Sequence, residues 1–175
     1  MLGELTPKQV ERMLLTEVVG RIGCQGKTRA YVVPVTFAYD GEAIYARSSE
    51  GLKLEMMRDN PEVCFEVDHV EDLRNWQSVI AWGTFEALRG EEAEEAARFL
   101  ERRLHPRTMS ETFGSHPHAS GPSSPRESPP ARTVIYRIRL LEKTGRFERD
   151  APRPAPGDDP RSGSHSAGST RLGAG

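Results

Sequence analysis

The segment from Arg47 to Lys53 holds the side chains best suited to binding an anion. Two cations, two hydroxyls and a glycine occur within seven residues, at Arg47, Ser48, Ser49, Gly51 and Lys53. A helix predicted to begin at Leu52 would add unpaired backbone N–H groups and the positive end of its dipole. Together these groups match the oxygens of a phosphomonoester. A helix capped by Ser49, with Lys53 as a solvated surface charge, explains the same residues equally well.

Two further features could serve a planar ligand. Pro34 lies inside a predicted strand, where proline removes a backbone hydrogen-bond donor, so this strand could present peptide groups to a flat polar ring. An ordinary edge strand protected by proline is an equally good explanation. Trp76 could stack on a ring while Ser78 adds a hydrogen bond from the same face of its strand. Core packing is the commoner role of a tryptophan at a strand start.

The histidines show no catalytic or metal-binding spacing. His69 has no serine or cysteine at a distance along the chain typical of a triad, and we expect it to be exposed at the end of a strand. Three other histidines, His105, His116 and His118, occur in a segment rich in proline and serine without a cysteine or carboxylate cluster. We therefore interpret them as incidental loop residues rather than metal ligands.

The elements that position these residues are predicted to be mostly strands. Strands are predicted over 18–24, 29–39, 43–47, 63–68, 76–88 and 133–140, and helices over 7–16, 52–58 and 91–104. The Asp40-Gly41 pair is a strong hairpin signal between the second and third strands. Six strands in hairpin or meander order with three peripheral helices predict a mainly β fold, a small β-barrel.

Composition predicts one folded domain within the 175 residues. Ten of the 13 prolines lie in 105–130 and 150–175. We expect a domain over 1–149, interrupted by a disordered insertion at 105–130, and a disordered tail at 150–175. The formal charge of -2 offers no footprint for nucleic acid. No apolar run could span a membrane, and the chain start does not resemble a signal peptide, so we expect a cytoplasmic protein.

The two cysteines fit this location. Cys24 and Cys64 are 40 residues apart and form no CxxC motif. We expect both to be buried thiols in a reducing compartment, with a structural disulfide as the minor alternative.

The order of several short segments resembles the pyridoxamine phosphate oxidase-like split-barrel flavoproteins, especially the branch related to nitroimidazole-resistance proteins. The segments are GRIG (20–23), YVVPVTF (31–37), IY (44–45), EGLK (50–53), NPEVCFEV (60–67) and SVIAWGT (78–84). The resemblance covers residues 5–104 and the last strand. An ordered set of this kind is far more specific than any one motif.

The resemblance implies a six-stranded split β-barrel that binds FMN at the interface of a homodimer. The stretch along the isoalloxazine ring would be Val33, Pro34, Val35 and Thr36. The residues around the phosphate would be Arg47, Ser48, Ser49 and Lys53. Trp76 and Ser78 would reach the cofactor from a neighbouring strand or from the partner subunit.

The function implied is that of an FMN-dependent oxidoreductase acting on a small molecule. No side chain is an obvious general acid or base, so the catalytic residues remain unassigned. Arg47 stands where nitroimidazole-resistance proteins commonly carry a histidine, which argues against nitroreductase activity in particular. The alternatives are a flavin-binding, storage or sensor module without turnover, and the same barrel binding deazaflavin or haem.

Overall fold

The computed structural model describes residues 1–108 and 133–150. In chain order its elements are β1 (Leu2–Glu4), α1 (Pro7–Thr16), β2 (Val19–Gln25), β3 (Ala30–Tyr39), β4 (Ala43–Ser49), α2 (Leu52–Asp59), β5 (Glu62–Asp72), β6 (Asn75–Ala87), α3 (Gly90–Thr108) and β7 (Thr133–Glu148). The predicted tail after Asp150 and most of the predicted insertion lie outside the described residues. Helix α3 extends four residues beyond its predicted end at 104 and so occupies the first four residues of the predicted insertion.

The strands form one antiparallel sheet in the order β1-β7-β4-β3-β2-β5-β6. Strand β6 also pairs with β7, so the sheet curves round and joins itself into a barrel. This confirms the predicted mainly β barrel with three helices. The six predicted strands are all present, and β1 is a short seventh strand that pairs with the end of β7. Three residues are too few to show an alternating pattern in the sequence.

Helix α1 begins as the sequence predicts. The Thr6 backbone N–H donates to Gln9 Oε1 at 2.8 Å, and Pro7 occupies the first helical turn. Val10, Met13 and Leu14 are buried on the face that covers the barrel. The apolar stripe seen in the sequence is therefore the face that anchors this helix.

The barrel interior holds the aromatic core. The rings of Phe37 and Phe65 meet edge to face, with centroids 4.9 Å apart, and both side chains are fully buried. Gly20 makes room for this contact, because a Cβ at that position would lie 2.4 Å from the Phe65 ring. The glycine of the GRIG segment thus lets β2 approach the Phe65 side chain of β5 closely.

Tyr136 places an unpaired polar group inside this core. Its side chain is fully buried, and among the described residues its hydroxyl has no hydrogen-bond partner. Burial raises the pKa of Tyr136 well above the ordinary value, and the nearby Cys24 thiol adds to the shift. The folded protein therefore holds this phenol neutral.

We expect Tyr136→Phe to raise the free energy of unfolding by about 1 kcal/mol, because it removes a buried hydroxyl without breaking a hydrogen bond. Because the pKa of Tyr136 is raised in the folded state, this phenol ionises first in the unfolded chain, and the free energy of unfolding of the unaltered protein falls as the pH rises above the ordinary pKa of about 10. The variant should therefore lose less stability above about pH 10. Urea unfolding at two pH values measures both effects, and a less stable variant at neutral pH would contradict the account.

Candidate functional site

Strands β3 and β4 separate partway along their length. They pair only at Phe37 with Ala46, Ala38 with Tyr45 and Tyr39 with Ile44. Strand β4 pairs with β7 along its whole length, and beyond Ala46 β7 is its only partner among the described strands, whereas β3 continues along β2 as far as Ala30. Within residues 1–108 and 133–150, no strand pairs with the β4-facing edge of β3 from 30 to 36. We call this edge of β3 the open edge.

The open edge presents backbone groups of alternate residues. The Phe37 N–H donates to the Val18 carbonyl at 2.9 Å, so this peptide group faces β2. Because the direction alternates along a strand, the N–H and C=O groups of Val32 and Thr36 point to the opening, as does the Pro34 carbonyl. The N–H of any other residue at position 34 would point to the opening, so the proline removes no hydrogen bond to β2.

The side chains of this stretch divide between the two faces of the sheet. Val35 is buried in the core and Val33 is half-buried, whereas Pro34 and Thr36 are exposed on the outer face. The peptide groups of Val33 and Val35 face β2. Polar contact with a ligand at the open edge therefore depends on Val32, Pro34 and Thr36.

Three of the four candidate anion-binding residues are the last three residues of β4. Arg47 and Ser49 are exposed, and Ser48 is half-buried, with its hydroxyl 3.2 Å from the Ser49 carbonyl. Strand β4 extends to Ser49, two residues further than predicted, because it pairs with β7 up to Thr133. Ser49 does not cap the next helix: the residue at that position is Gly51, and no side chain caps the helix. The alternative in which Ser49 is simply a helix cap is therefore wrong.

Lys53 lies in the first turn of α2. It is half-buried, and burial lowers the pKa of its ammonium group below the ordinary value, although the Cys24 thiol acts in the opposite direction. No described carboxylate forms an ion pair with it. Lys53 is therefore not a fully solvated surface charge, and an anion would complete its surroundings.

The acidic residue that precedes α2 is held by another partner. Both carboxylate oxygens of Glu50 accept hydrogen bonds from Arg58, at 2.8 and 2.9 Å. This bidentate pair draws the Glu50 charge toward the last turn of α2. The N-terminal turn of α2 therefore contains Lys53, the backbone N–H groups that have no acceptor within the helix, and one exposed carboxylate, Glu55.

Trp76 and Ser78 lie at the other end of the barrel. Trp76 pairs with Glu148 on β7, whereas Arg47 pairs with Ile135, 13 residues earlier on that strand. The Trp76 indole N–H donates to Glu148 Oε2 at 3.1 Å. Trp76 is half-buried on the outer face and does not belong to the core. One chain alone does not bring these two residues to Arg47 and Lys53.

A charged network lies beside the open edge, and no local sequence pattern indicated it. Arg21 pairs across β2 and β3 with Pro34, and across β2 and β5 with Glu66. Its guanidinium group contacts Glu66 at 2.9 Å and also Asp68. Alternation alone could have placed each residue on the outer face, but only the strand order makes them neighbours.

The remaining candidate residues carry no visible chemistry. His69 lies within β5, which extends to Asp72, and it is half exposed, as expected, with Glu17 at 3.3 Å. Cys24 and Cys64 are free thiols on opposite faces of the sheet; Cys24 is buried as predicted, but Cys64 is only half-buried. Among the residues the structure describes, no group of His, Cys, Asp and Glu could hold a metal ion. The predictions for His116 and His118 fall outside the described residues, as does the prediction for the side chain of His105.

The antiparallel sheet joins itself into a barrel, and two of its strands separate partway along their length, near a helix start that carries a cation. This arrangement defines a split-barrel protein. The pyridoxamine 5'-phosphate oxidase family model matches residues 6–147. The chain therefore belongs to this family. No helix in the described part of the chain is long and apolar enough to cross a membrane.

Individual relatives agree with this assignment. An FAD-binding protein from Mesorhizobium loti has a similar structure, with a TM-score of 0.68 and 26% identity over 86% of this chain and 98% of its own. A candidate 5-nitroimidazole antibiotic resistance protein from Bacteroides thetaiotaomicron has the same fold, with a TM-score of 0.61 and 20% identity over 84% of this chain and 87% of its own.

A curated relative, the uncharacterised protein RA0666 of Rhizobium meliloti (strain 1021), is 33% identical over 70 residues, 40% of this chain. That match spans 46% of the relative, so this chain aligns with less than half of it.

Proposed function

We propose that this chain is an FMN-binding flavoprotein that acts as an FMN-dependent oxidoreductase on a small molecule. The observation that carries the proposal is the open edge of β3, which starts where the exposed Arg47 continues β4 beyond its last pair with β3. The partly desolvated Lys53 is close enough to Cys24, the cross-strand partner of Tyr31 on β3, to interact with it electrostatically. A flat ring with polar edges fits the peptide groups, and a phosphate fits the cations. The similar Mesorhizobium loti protein, which is named for FAD binding, supports a flavin ligand.

Each part of the chain has a distinct role in this proposal. Lys53, Arg47 and Ser49 hold the phosphate together with the N-terminal amides of α2, and Ser48 supports the turn. The peptide groups of Val32, Pro34 and Thr36 orient the ring edge, while Val33 and Val35 pack the strand from the barrel side. Bound FMN supplies hydride and single-electron transfer chemistry.

A second copy of the chain completes the proposed site. Trp76 and Ser78 are remote from Arg47 and Lys53 within one chain, so in this proposal they act at the cofactor of a second copy. The outer face of the sheet exposes the large apolar side chains of Val19, Val32, Val70, Ile80 and Trp82. It continues into a groove of about 510 Å³ beside Cys64 and Leu141. An apolar face of this kind supports a homodimer that buries it.

The described residues at the open edge include no histidine or carboxylate suited to acid–base work. The chain would therefore bind and orient the cofactor and exclude water, and leave the catalytic residues unassigned. The same observation favours the second candidate function, a flavin-binding module without turnover. In either case we place the protein in the cytoplasm, where its two free thiols would remain reduced.

Steady-state assays of the flavin-loaded protein separate the two functions. We expect oxidation of a nicotinamide donor in the presence of a reducible acceptor, at a rate well above that of free FMN. Tight FMN binding without such turnover would contradict the enzyme and support the module. Parallel titrations with FAD, deazaflavin and haem test the choice of cofactor, because FMN should bind most tightly.

A further inference from the structure

A polar network lies in the middle of the apolar outer face. It joins Arg21 on β2, Glu66 and Asp68 on β5, and Ser78 on β6. Arg21 Nη1 is 2.9 Å from Glu66 Oε2, and the Ser78 hydroxyl donates to Glu66 Oε1 at 3.3 Å. Glu66 therefore uses one oxygen for the arginine and the other for the serine.

This arrangement fixes the hydrogen-bonding sense of Ser78. An ionised carboxylate has only acceptor sites, so the contact with Glu66 uses the single hydroxyl hydrogen of the serine. The lone pairs of Ser78 Oγ remain, and they can only accept. Ser78 is half-buried on the outer face, where a second copy would lie in the proposed dimer.

One end of the network lies next to the open edge of β3. Arg21 and Pro34 form a cross-strand pair that exchanges no backbone hydrogen bonds, because the bonded pairs of β2 and β3 are those in register with Phe37 and Val18. In such a pair the Cα atoms lie about 4.5 Å apart. The network therefore begins beside Pro34 and extends over two further strands to Ser78.

The isoalloxazine ring of the proposed cofactor has one group that can donate a hydrogen bond to Ser78. The oxidised isoalloxazine ring has a single N–H, at N3, between two carbonyl oxygens that can only accept. A serine that is free to rotate could serve either kind of group, whereas one held by Glu66 can meet only the donor. Resting on the function proposed above, we propose that Glu66 positions Ser78 as the hydrogen-bond acceptor for the flavin N3–H in the partner subunit's site.

The test compares FMN with N3-methyl-FMN, which lacks this donor. Dissociation constants measured by flavin fluorescence should favour FMN about 5-fold to 10-fold in the unaltered protein, the value of one ordinary hydrogen bond. Ser78→Ala should reduce the preference to about 1-fold to 2-fold. Glu66→Gln should also reduce it, because the hydroxyl keeps its size but is no longer held by a carboxylate.

Asp68→Asn is the matched control. Asp68 lies opposite Ser78 across β5 and β6 and contacts the same arginine as Glu66. The substitution therefore removes one carboxylate charge beside the serine but leaves the hydrogen bond between Ser78 and Glu66 in place, so the preference for FMN should remain at the unaltered value. Ser78→Thr, which keeps the hydroxyl, should retain most of the preference. Circular dichroism spectra check that each variant folds.

Two results would overturn the inference while the proposed function stands: an unchanged preference in Glu66→Gln, or an unchanged preference in Ser78→Ala, with tight FMN binding in both. An equal fall in Asp68→Asn and Glu66→Gln would also overturn it, because the effect would then follow charge alone. Failure of the unaltered protein to bind FMN would overturn both claims.

Discussion

Replacing Arg47 and Lys53 together with alanine should abolish FMN retention while the barrel still folds. Each cation would make a charge-assisted hydrogen bond to the phosphate, worth about 1.5–3 kcal/mol. Loss of both should weaken binding by about 3–6 kcal/mol, or roughly 10²-fold to 10⁴-fold in the dissociation constant. A fluorescence titration with FMN measures the change. Riboflavin, which has no phosphate, should lose far less affinity.

A control for this experiment is the pair Lys8→Ala and Arg98→Ala. It removes the same total charge from exposed positions on α1 and α3, away from the opening. FMN affinity of the control should stay within about twofold of the unaltered protein, because surface charges at a distance are screened. Undiminished FMN affinity in Arg47→Ala/Lys53→Ala would contradict the assignment of the phosphate to this turn.

Phe65→Ala should cause the largest loss of stability of any variant considered. The side chain is fully buried in the barrel and contacts the Phe37 ring. Truncating a buried phenylalanine leaves a cavity and costs about 3–5 kcal/mol. Because Phe65 also packs against Gly20 on β2, loss of its ring should loosen the strand that carries Arg21. Urea unfolding measures the loss.

The matched substitution on the same strand is Val70→Ala. Val70 is 61% exposed, so the isolated chain should lose less than about 0.5 kcal/mol. A comparable loss of stability in the two variants would show that the interior of the barrel is not the main source of its stability. The concentration dependence of unfolding adds a second readout, because Val70 lies on the face proposed to meet a second copy.

Local signals were strong enough to predict most elements. Thr6 and Pro7 marked the start of α1, and Asp40-Gly41 marked the β3–β4 turn, because capping and turn residues act within a few positions. The start of β7 was predicted at Thr133, but its C-terminal end was not predictable in the same way. The strand continues eight residues beyond Leu140 because β6 pairs with it throughout, and pairing between distant strands leaves no local pattern.

Part of the candidate site was likewise predictable from local sequence, and part depended on how distant strands pair. Arg47, Ser49 and Lys53 are close in sequence, so their proximity followed from the strand–helix junction alone. Pro34 lies on the open edge because the pairing of β3 with β4 ends at Phe37 and Ala46 while β4 stays paired with β7, and only the sheet order determines this. Arg21, Glu66 and Asp68 were missed for the same reason, since each is an unremarkable charged residue until the strands are aligned.

The most direct test of the flavin-binding claim is the visible absorption spectrum of the chain purified without added cofactor, followed by chromatography of whatever heat releases. We expect a flavin spectrum, with FMN in the supernatant at close to one molecule per chain. A colourless protein that also fails to bind added FMN would contradict the assignment of the open edge and the Arg47–Lys53 turn to this cofactor.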